Sequence, residues 1–366
     1  MHCKLRTCYA LIVVSTCVSS LIGLFHLSHL YQRFSSWRLT RPHRYCGLSD
    51  MSFDESVAER VKTAALLQLE RGRGEGGRRI SALPACSEKS RDLGLQGRRV
   101  VNMSLELTIE QLNAKETRMK NGGYYKPTHC HSQHKVAIII PYRDRYSHLL
   151  LFLHYMLPIF IRQNIEFRLY IIEQAGDCPF NRGMLFNVGV LEASKDETWD
   201  CYCFHDVDLM LEDDRCLYTC PKKGPRALAI ALDKWNYEII HKYLFGGIVI
   251  MSRQQILSVN GFSNLYWGWG GEDDDLLARV EMMGMKVERE DKSVARYTTS
   301  SQDHISAPQN PVRFDLLFDA RYRVSMDGLD TTVHKVISRK EFPLYTIITV
   351  ALGDTGNQIP RAYVGQ

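Results

Sequence analysis

The sequence has neither a strong excess of one charge nor the cysteine spacing of a structural zinc site. Its 366 residues carry a formal net charge of +5, which is too small for this length to indicate nucleic acid as a partner. The basic residues do not alternate with aromatic ones, as they do in many nucleic-acid-binding surfaces. No pair of CxxC motifs is present, which argues against a zinc site. The composition, 45% hydrophobic and 24% charged, is that of an ordinary globular protein.

Charged residues are also absent from a long segment near the N-terminus. Residues 7–32 contain no Asp, Glu, Lys or Arg. Their apolar part, residues 9–30, would form a helix about 33 Å long, enough to cross a bilayer. The basic residues of segment 1–8 favour a cytoplasmic tail. We predict an uncleaved signal-anchor with the rest of the chain on the luminal side. A signal peptide cleaved after the small residues Ser19 and Ser20 is the alternative.

The segment after the anchor is typical of a flexible stem. Residues 31–82 show little periodicity, and residues 71–79 are rich in glycine and arginine. An ordered domain is expected over residues 83–352, followed by a C-terminal tail, residues 353–366. Asn102 begins the chain's one N-glycosylation sequon. The 11 cysteines fit a compartment in which disulfides form.

Alternating strand and helix patterns predict the core of this domain. Three short β-branched runs predict strands, at residues 136–140, 168–172 and 201–204. Two stretches of helical periodicity lie between them, at residues 146–163 and 181–194. Pro141 is expected to end the first strand, and Pro158 to kink or end the first helix. This order predicts an α/β fold with a mostly parallel sheet and helices on its faces.

Polar residues follow two of these strands, at the sheet edge where α/β folds bind their ligands. Arg143 and Arg145 follow the first strand and suit phosphate. Asp206 and Asp208 close the third strand, where alternation would put both carboxylates on one face and Val207 opposite. Such oxygens suit Mg²⁺ or Mn²⁺ together with a diphosphate. A pair of aspartates in a plain loop is the simpler alternative.

The most informative stretch is residues 267–275, in which tryptophans alternate with glycines ahead of a run of acids, WGWGGEDDD. An aromatic platform beside carboxylates is suited to hold a carbohydrate and remove a proton from it. The acids also precede a helical spacing of apolar residues, so simple helix capping is the alternative interpretation. Both can hold together if the start of a helix presents catalytic acids.

Several motifs resemble the β-1,4-galactosyltransferase family in order and spacing. They are residues 135–141 (KVAIIIP), 174–176 (QAG), 180–182 (FNR), 206–208 (DVD), 245–247 (FGG), 260–262 (NGF), 266–275 (YWGWGGEDDD), 310–315 (NPVRFD) and 342–346 (FPLYT). The resemblance covers roughly residues 83–352, and the tryptophan-glycine-acid string is highly specific. It implies a Rossmann-like GT-A fold, an inverting, Mn²⁺-dependent reaction, and a single-pass type II protein of the Golgi membrane with its catalytic domain in the lumen.

The resemblance also implies roles for individual residues. The UDP-sugar donor is expected at Pro141, Tyr142, Arg143, Arg145, Phe180, Arg182, Asp206, Val207, Lys234, Leu244, Gly247 and Trp269. Of these, Trp269 resembles the tryptophan of a mobile loop that closes over the donor. Asp208 resembles the manganese ligand.

On the acceptor side, Asp273 matches the catalytic base that deprotonates the 4-hydroxyl of a terminal GlcNAc. Glu272 is expected to be catalytic together with Asp273, and it matches a residue that contacts a sugar in the family. The acceptor is further expected at Tyr266, Asp274, Arg313, Phe314 and Leu317. The implied disulfides are Cys86–Cys130 and Cys201–Cys220, which leaves Cys46, Cys178, Cys203 and Cys216 without an assigned partner.

Two positions depart from the family's pattern. Leu244 stands where family galactosyltransferases carry a tyrosine, and an aliphatic side chain there leaves room for the N-acetyl group of UDP-GalNAc. The family's further metal ligands are a Met and, three residues on, a His. After Tyr297 no Met is present, Gln302 takes the nearest place for the histidine, and His304 can serve only with a small register shift.

We therefore expect transfer of GalNAc from UDP-GalNAc, in β-1,4 linkage, to terminal GlcNAc on a glycoprotein or glycolipid. Transfer of galactose from UDP-galactose is the alternative, because a roomy pocket discriminates poorly against the smaller sugar. An inactive sugar-binding protein is a second alternative, which the altered segment after Tyr297 permits and the intact acids oppose.

Overall fold

The computed structural model describes residues 83–87, 93–239, 243–299 and 309–353. The predicted anchor, the stem, His304 and residues 354–366 lie outside these ranges. Within the described ranges, no helix has both the length and the apolar character needed to cross a membrane.

The described elements are named here in chain order. The helices are α1 (Ile109–Lys115), α2 (Tyr146–Arg162), α3 (Arg182–Asp196), α4 (Arg253–Ser258), α5 (Glu272–Met282), α6 (Arg313–Phe318) and α7 (Ala320–Arg323). The strands are β1 (Tyr124–Tyr125), β2 (Lys135–Tyr142), β3 (Glu166–Gln174), β4 (Cys201–His205), β5 (Leu209–Leu211), β6 (Arg226–Ala227), β7 (Ala231–Leu232), β8 (Ile248–Ser252), β9 (Glu288–Arg289), β10 (Arg296–Thr299), β11 (His334–Glu341) and β12 (Thr346–Leu352).

A mixed sheet organises the domain, in the order β11-β12-β3-β2-β4-β8-β6-β9, with β1 beside β3. Its centre, β12-β3-β2-β4, is parallel, and the sequence predicts β2, β3 and β4 of it but not β12. The expectation of a mostly parallel sheet is wrong for the flanks, because β8, β11 and β1 each pair antiparallel with a neighbour. Antiparallel neighbours need no crossover helix, so the strand–helix alternation of the centre does not extend to them. A smaller sheet has the order β5-β10-β7.

Neither proline ends its element. Pro141 pairs with Ile172 inside β2, and the strand continues to Tyr142. Pairing of β2 with β4 stops at Ile139, so Pro141 has a strand on one side only, where a missing N–H is tolerated. Helix α2 continues through Pro158 to Arg162. The residues around that proline are buried, and their packing holds the helix together.

Helix α3 lies closely on the central strands. Asn181 caps it by accepting a hydrogen bond from the Met184 N–H at 2.9 Å. A Cβ at Gly189 would lie 2.2 Å from Cγ2 of Ile139, so only glycine permits this approach to β2. The helix expected at residues 181–194 is therefore confirmed, and its first residue, Arg182, lies at the edge where the parallel strands end.

The expected disulfides are confirmed. Cys86 is bonded to Cys130, and Cys201 to Cys220. Cys178, which the sequence leaves without a partner, is disulfide-bonded as well. Among the described residues, Cys203 and Cys216 are free, and both are buried.

Candidate active site

The two aspartates of the acidic motif lie in a turn and not at the end of a strand. Strand β4 ends at His205, and Asp206 to Asp208 connect it to β5. The expectation that strand alternation aligns the two carboxylates is therefore wrong, because an apolar run does not specify its last paired residue. The Asp206 N–H donates to the Gly247 carbonyl at 3.1 Å. Asp208 is 6% exposed.

Arg182 connects this turn to the acids that follow the tryptophans. Its Nε donates to Oδ1 of Asp206 at 2.7 Å, and its Nη1 to Oε1 of Glu272 at 3.2 Å. Burial disfavours the charged guanidinium, but the two carboxylates outweigh it and raise the pKa of Arg182 above its usual value. The two acidic segments are thus drawn together around one cation.

Helix α5 begins at the acidic run. Gly271 precedes it with φ of 100°, and Glu272 to Asp275 form the first turn. The acids therefore occupy the first helical turn, as the capping interpretation expects, and their catalytic role stays a prediction. Burial, followed by the charge of Asp273, raises the pKa of Glu272 to about 7. Oε2 of Glu272 is buried and has no hydrogen-bond partner among the described residues.

Asp273 lies directly against the glycines that precede β8. A Cβ at Gly246 would lie 2.2 Å from Oδ2 of Asp273, so any other residue would displace the carboxylate. The next residue, Gly247, holds the Asp206 N–H. The predicted base therefore lies beside the predicted donor turn.

The two tryptophans of the motif have different environments. Trp267 is 1% exposed and belongs to the hydrophobic core, whereas Trp269 is 50% exposed. A platform made of both rings is therefore wrong. The segment is held on either side of Trp269: the Gly268 N–H donates to the Phe180 carbonyl at 2.9 Å, and the Asn310 N–H to the Trp269 carbonyl at 3.1 Å.

A buried ion cluster of Asp275, Arg279, Arg323 and Asp327 fixes helix α5 from behind. Asp275 accepts from Arg279 at 2.5 Å and from Arg323 at 2.6 Å. Asp327 accepts from Arg323 at 2.7 Å and lies 3.3 Å from Arg279. Tyr266 donates to Asp275 at 3.0 Å. The tyrosine, predicted to contact the acceptor, is 1% exposed and is placed in this cluster.

Most other predicted donor residues lie along the strand edge. Pro141 and Tyr142 end β2, Arg145 precedes α2, and Val207 is buried in the acidic turn. Nη1 of Arg143 donates to the Cys178 carbonyl at 2.6 Å, and its guanidinium lies 5.4 Å from the Phe180 ring centroid. These contacts hold the strand end against the loop before α3.

The remaining predicted residues are on separate segments. Lys234 is exposed in a 3-10 turn, 4.7 Å from the Trp235 ring centroid. Leu244 is half-buried, and its carbonyl accepts from Arg289. Asp274 is exposed in the first turn of α5. The acceptor residues Arg313, Phe314 and Leu317 lie on α6, with the Arg313 guanidinium 5.6 Å from the Trp269 ring centroid and Phe314 71% exposed.

Asp208 is the one predicted metal ligand among the described residues, which contain no group of three or more His, Cys, Asp or Glu side chains that could hold an ion. Its carboxylate supplies the hard oxygen that Mg²⁺ or Mn²⁺ prefers. Strand β10 pairs antiparallel with β5, and Thr299 lies opposite Leu209. The chain that carries the remaining expected ligands therefore leaves β10 beside the turn of Asp208. His304 lies outside the described residues and stays a prediction.

Sequence reasoning missed the ion cluster as a unit. The i,i+4 spacing of Asp275 with Arg279, and of Arg323 with Asp327, was a usable signal for each pair. No local pattern joins the two pairs, because the first lies on α5 and the second spans the end of α7 and the turn after it.

Comparison with known proteins agrees with this geometry. Residues 86–221 match the family model described as the N-terminal region of glycosyl transferase group 7, and residues 226–303 match the N-terminal domain of galactosyltransferase. Beta-1,4-galactosyltransferase 1 of Mus musculus is 42% identical over 276 residues, covering 75% of this chain and 68% of that protein. Beta-1,4-galactosyltransferase 3 of Homo sapiens is 40% identical over 284 residues, covering 77% and 72%.

A solved structure shares the fold. The catalytic domain of Drosophila beta-1,4-galactosyltransferase 7, crystallised with xylobiose, superposes with a TM-score of 0.55 at 28% identity, covering 62% of this chain and 98% of that one. A mutant of that enzyme, in complex with manganese, UDP-Gal and xylobiose, gives 0.54 at 27% identity. Fold and site define a UDP-sugar-dependent hexosyltransferase of the GT-A type. The chain belongs to the β-1,4-galactosyltransferase family.

We predict that Asp275→Asn lowers the free energy of unfolding by about 3–5 kcal/mol, because it leaves two buried guanidinium groups, those of Arg279 and Arg323, with the single carboxylate of Asp327. The measurement is urea denaturation. Glu281→Gln on the same helix is the control, since Glu281 meets the exposed Arg321 at 3.8 Å, a contact worth about 0–1 kcal/mol. Equal losses in the two variants would show that the cluster has no special role.

We predict that the stability difference between the wild type and Glu272→Gln depends on pH. The folded protein keeps the Glu272 proton up to about 7, whereas the unfolded chain releases it near 4.5. The wild type therefore loses stability relative to the variant as pH rises from about 4.5 to about 7, and the difference is level beyond. Urea titrations at steps across this window would contradict the raised pKa if the difference stayed flat.

Proposed function

We propose that this protein transfers galactose from UDP-galactose, with inversion, to the 4-hydroxyl of a terminal GlcNAc. The observation that carries the proposal is the position of Asp273, whose carboxylate lies against Gly246 beside the turn of Asp206. The names of the relatives support galactose as the donor sugar, and so does the UDP-Gal bound by the Drosophila enzyme.

In the proposed reaction, Asp273 accepts the proton of the acceptor hydroxyl. The acceptor oxygen attacks the anomeric carbon from the face opposite UDP, and the new bond forms as the bond to UDP breaks with its electron pair. Arg182 and Asp206 would orient the donor from below. An α-linked donor thereby gives a β-linked product.

Asp208 would hold Mn²⁺, with His304 as a further predicted ligand. When bound, the ion would supply positive charge beside the departing diphosphate. Support comes from the oxygen chemistry of Asp208, from the β5–β10 register that brings the end of β10 beside it, and from the manganese in the related Drosophila complex.

The segment around Trp269 is suited to close over the donor. Gly268, Gly270 and Gly271 all have positive φ, which glycine adopts without strain. Trp269 is half exposed, and Arg313 lies near its ring. Closure over the bound sugar would exclude water and so suppress hydrolysis of the donor. Arg313, Phe314 and Leu317 would then form a wall for the acceptor's N-acetyl group.

We further propose a Golgi location, with residues 9–30 as the membrane anchor, residues 31–82 as the stem and residues 83–352 as the luminal catalytic domain. Asn102 is exposed, and its side-chain oxygen accepts from the Ser104 N–H at 3.0 Å in a surface turn. This accessibility supports Asn102 as a glycosylation site of a luminal protein.

UDP-GalNAc is the second candidate donor, because Leu244 occupies the place of the family's tyrosine. Leu244 is half-buried and directly precedes the glycines that contact Asp273. An aliphatic side chain there leaves space beside C2 of the sugar. The relatives' names favour galactose, and they do not address this substitution.

We predict that Asp273→Asn lowers kcat about 10²–10⁴-fold, the usual contribution of a general base. An amide keeps the size of the side chain but does not accept the hydroxyl proton. The assay is manganese-dependent release of UDP from UDP-galactose with and without GlcNAc, and Glu281→Gln is the control on the same helix. Retained turnover in Asp273→Asn would remove Asp273 as the base. The absence of GlcNAc-stimulated turnover in the wild type would instead support an inactive sugar-binding protein.

We predict that Leu244→Tyr lowers kcat/KM for UDP-GalNAc roughly 10-fold or more, because the larger side chain fills the space beside C2 of the sugar. Transfer from UDP-galactose should stay within about threefold of the wild type. The measurement is kcat/KM for both donors in the wild type and the variant. Phe245→Tyr, one residue on, is the matched control. Equal effects on both donors would show that Leu244 does not contact the C2 substituent.

A further inference from the structure

A chain of buried polar side chains lies directly beneath the acidic turn. His205, the last residue of β4, is fully buried. Its Nδ1 lies 2.7 Å from the Asp206 carbonyl oxygen, and its Nε2 lies 3.0 Å from Oη of Tyr218. That hydroxyl is 3.2 Å from Oη of Tyr297, which is 3.7 Å from Sγ of Cys216. None of these groups has a role in the chemistry proposed above.

The Asp206 carbonyl at one end of this network determines which atom donates in each of its hydrogen bonds. A carbonyl oxygen only accepts, so Nδ1 of His205 donates to Asp206. Burial lowers the pKa of His205 to about 4, so the ring is neutral near pH 7 and Nε2 accepts from Tyr218. The Tyr218 oxygen then accepts from Tyr297. The Asp206 carbonyl thus fixes the tautomer of His205, and Tyr218 and Tyr297 hold the other side of the ring.

This network of hydrogen-bonded side chains connects the two strands that border the acidic turn. His205 ends β4 immediately before Asp206, and Tyr297 lies in β10, which ends beside Asp208. Tyr218 is anchored between them, since its N–H donates to Oε1 of Gln163 at 2.9 Å. A satisfied polar network in a core specifies one arrangement more sharply than apolar packing does.

We propose that His205 is a positioning residue: its ring, held at Nε2 by Tyr218 and Tyr297, donates its Nδ1–H to the Asp206 carbonyl and so orients the peptide after Asp206 and thereby the carboxylate of Asp208. The inference rests on the proposed function, in which Asp208 holds the divalent ion that accompanies the nucleotide. It adds a requirement for binding that acts through the backbone of the turn.

Two variants of His205 distinguish the hydrogen bond made by Nδ1 from the one made by Nε2. His205→Asn places an amide N–H where Nδ1 stands, whereas His205→Gln places its amide near Nε2. The measurement is the dissociation constant of UDP in the presence of Mn²⁺, by titration calorimetry on the purified luminal chain. We expect His205→Asn to bind within about threefold of the wild type and His205→Gln to bind about tenfold more weakly, the effect of one hydrogen bond.

Tyr202→Phe is the matched control. Tyr202 is a buried residue of the same strand, and its hydroxyl contacts Ser194 at 2.8 Å and not the turn. We expect it to lose stability without losing affinity for UDP and Mn²⁺. Equal affinities in the two histidine variants, whether both intact or both weakened, would overturn the proposal.

Tyr218→Phe keeps the test decisive if the histidine variants do not fold. It retains the ring of Tyr218 and removes the donor to Nε2, so the His205 ring loses the hydrogen bond that holds it on the side away from the turn. We expect UDP to bind about threefold or more weakly with Mn²⁺ in this variant and not in Tyr202→Phe. Unchanged binding in Tyr218→Phe would overturn the proposal. A wild type that binds UDP with Mn²⁺ but transfers no sugar would contradict the proposed function and leave this inference standing.

Discussion

The active-site arrangement depends on one guanidinium that two acidic segments share. Arg182 lies between Asp206 of the turn after β4 and Glu272 at the start of α5. Without a cation between them, these carboxylates would repel, because both are withdrawn from bulk water. Arg182 is placed there by α3, whose capped first turn lies at the edge where the parallel strands end. The packing of a helix on the sheet thus sets the distance between the donor and acceptor sides.

Under the proposed function, the molecule behind this junction divides into a rigid part and a segment that closes over the donor. Asp275 is held by two arginines and a tyrosine, and this fixes the helix that carries Asp273. Between Trp267 in the core and the start of α5 lies a short glycine-rich segment whose single large side chain is Trp269. A base on a fixed helix beside a glycine-flanked tryptophan can stay aligned while the loop opens and closes.

Much of the fold was predictable from local pattern, and the failures have physical causes. Strands β2, β3 and β4 and helices α2 and α3 alternate in apolar periodicity, so their bounds were predicted to within a few residues. The antiparallel pairing of the flanking strands was not predicted, because the residue pattern of a strand does not show the direction in which it pairs. The acidic turn was misplaced into a strand, since Asp206 follows an apolar run without a turn signal. Trp267 and Trp269 flank the same glycine, Gly268, and only the tertiary packing distinguishes the buried ring from the exposed one.

Family membership came from motif spacing, but the donor sugar depends on space beside Leu244, which no pattern measures. The same limit applies to His205, whose proposed role depends on Tyr218 and Tyr297, which no local pattern places beside it. Residues that act through contacts distant in sequence were therefore the ones that the structure added.

The central claim is that Asp273 directs attack by the acceptor's 4-hydroxyl on the face opposite UDP. Proton NMR of the disaccharide formed from UDP-galactose and a GlcNAc glycoside, with Mn²⁺ present, tests this most directly. The account predicts a single β-linked galactose on O4 of GlcNAc. An α-linkage, or attachment at another hydroxyl, would contradict it.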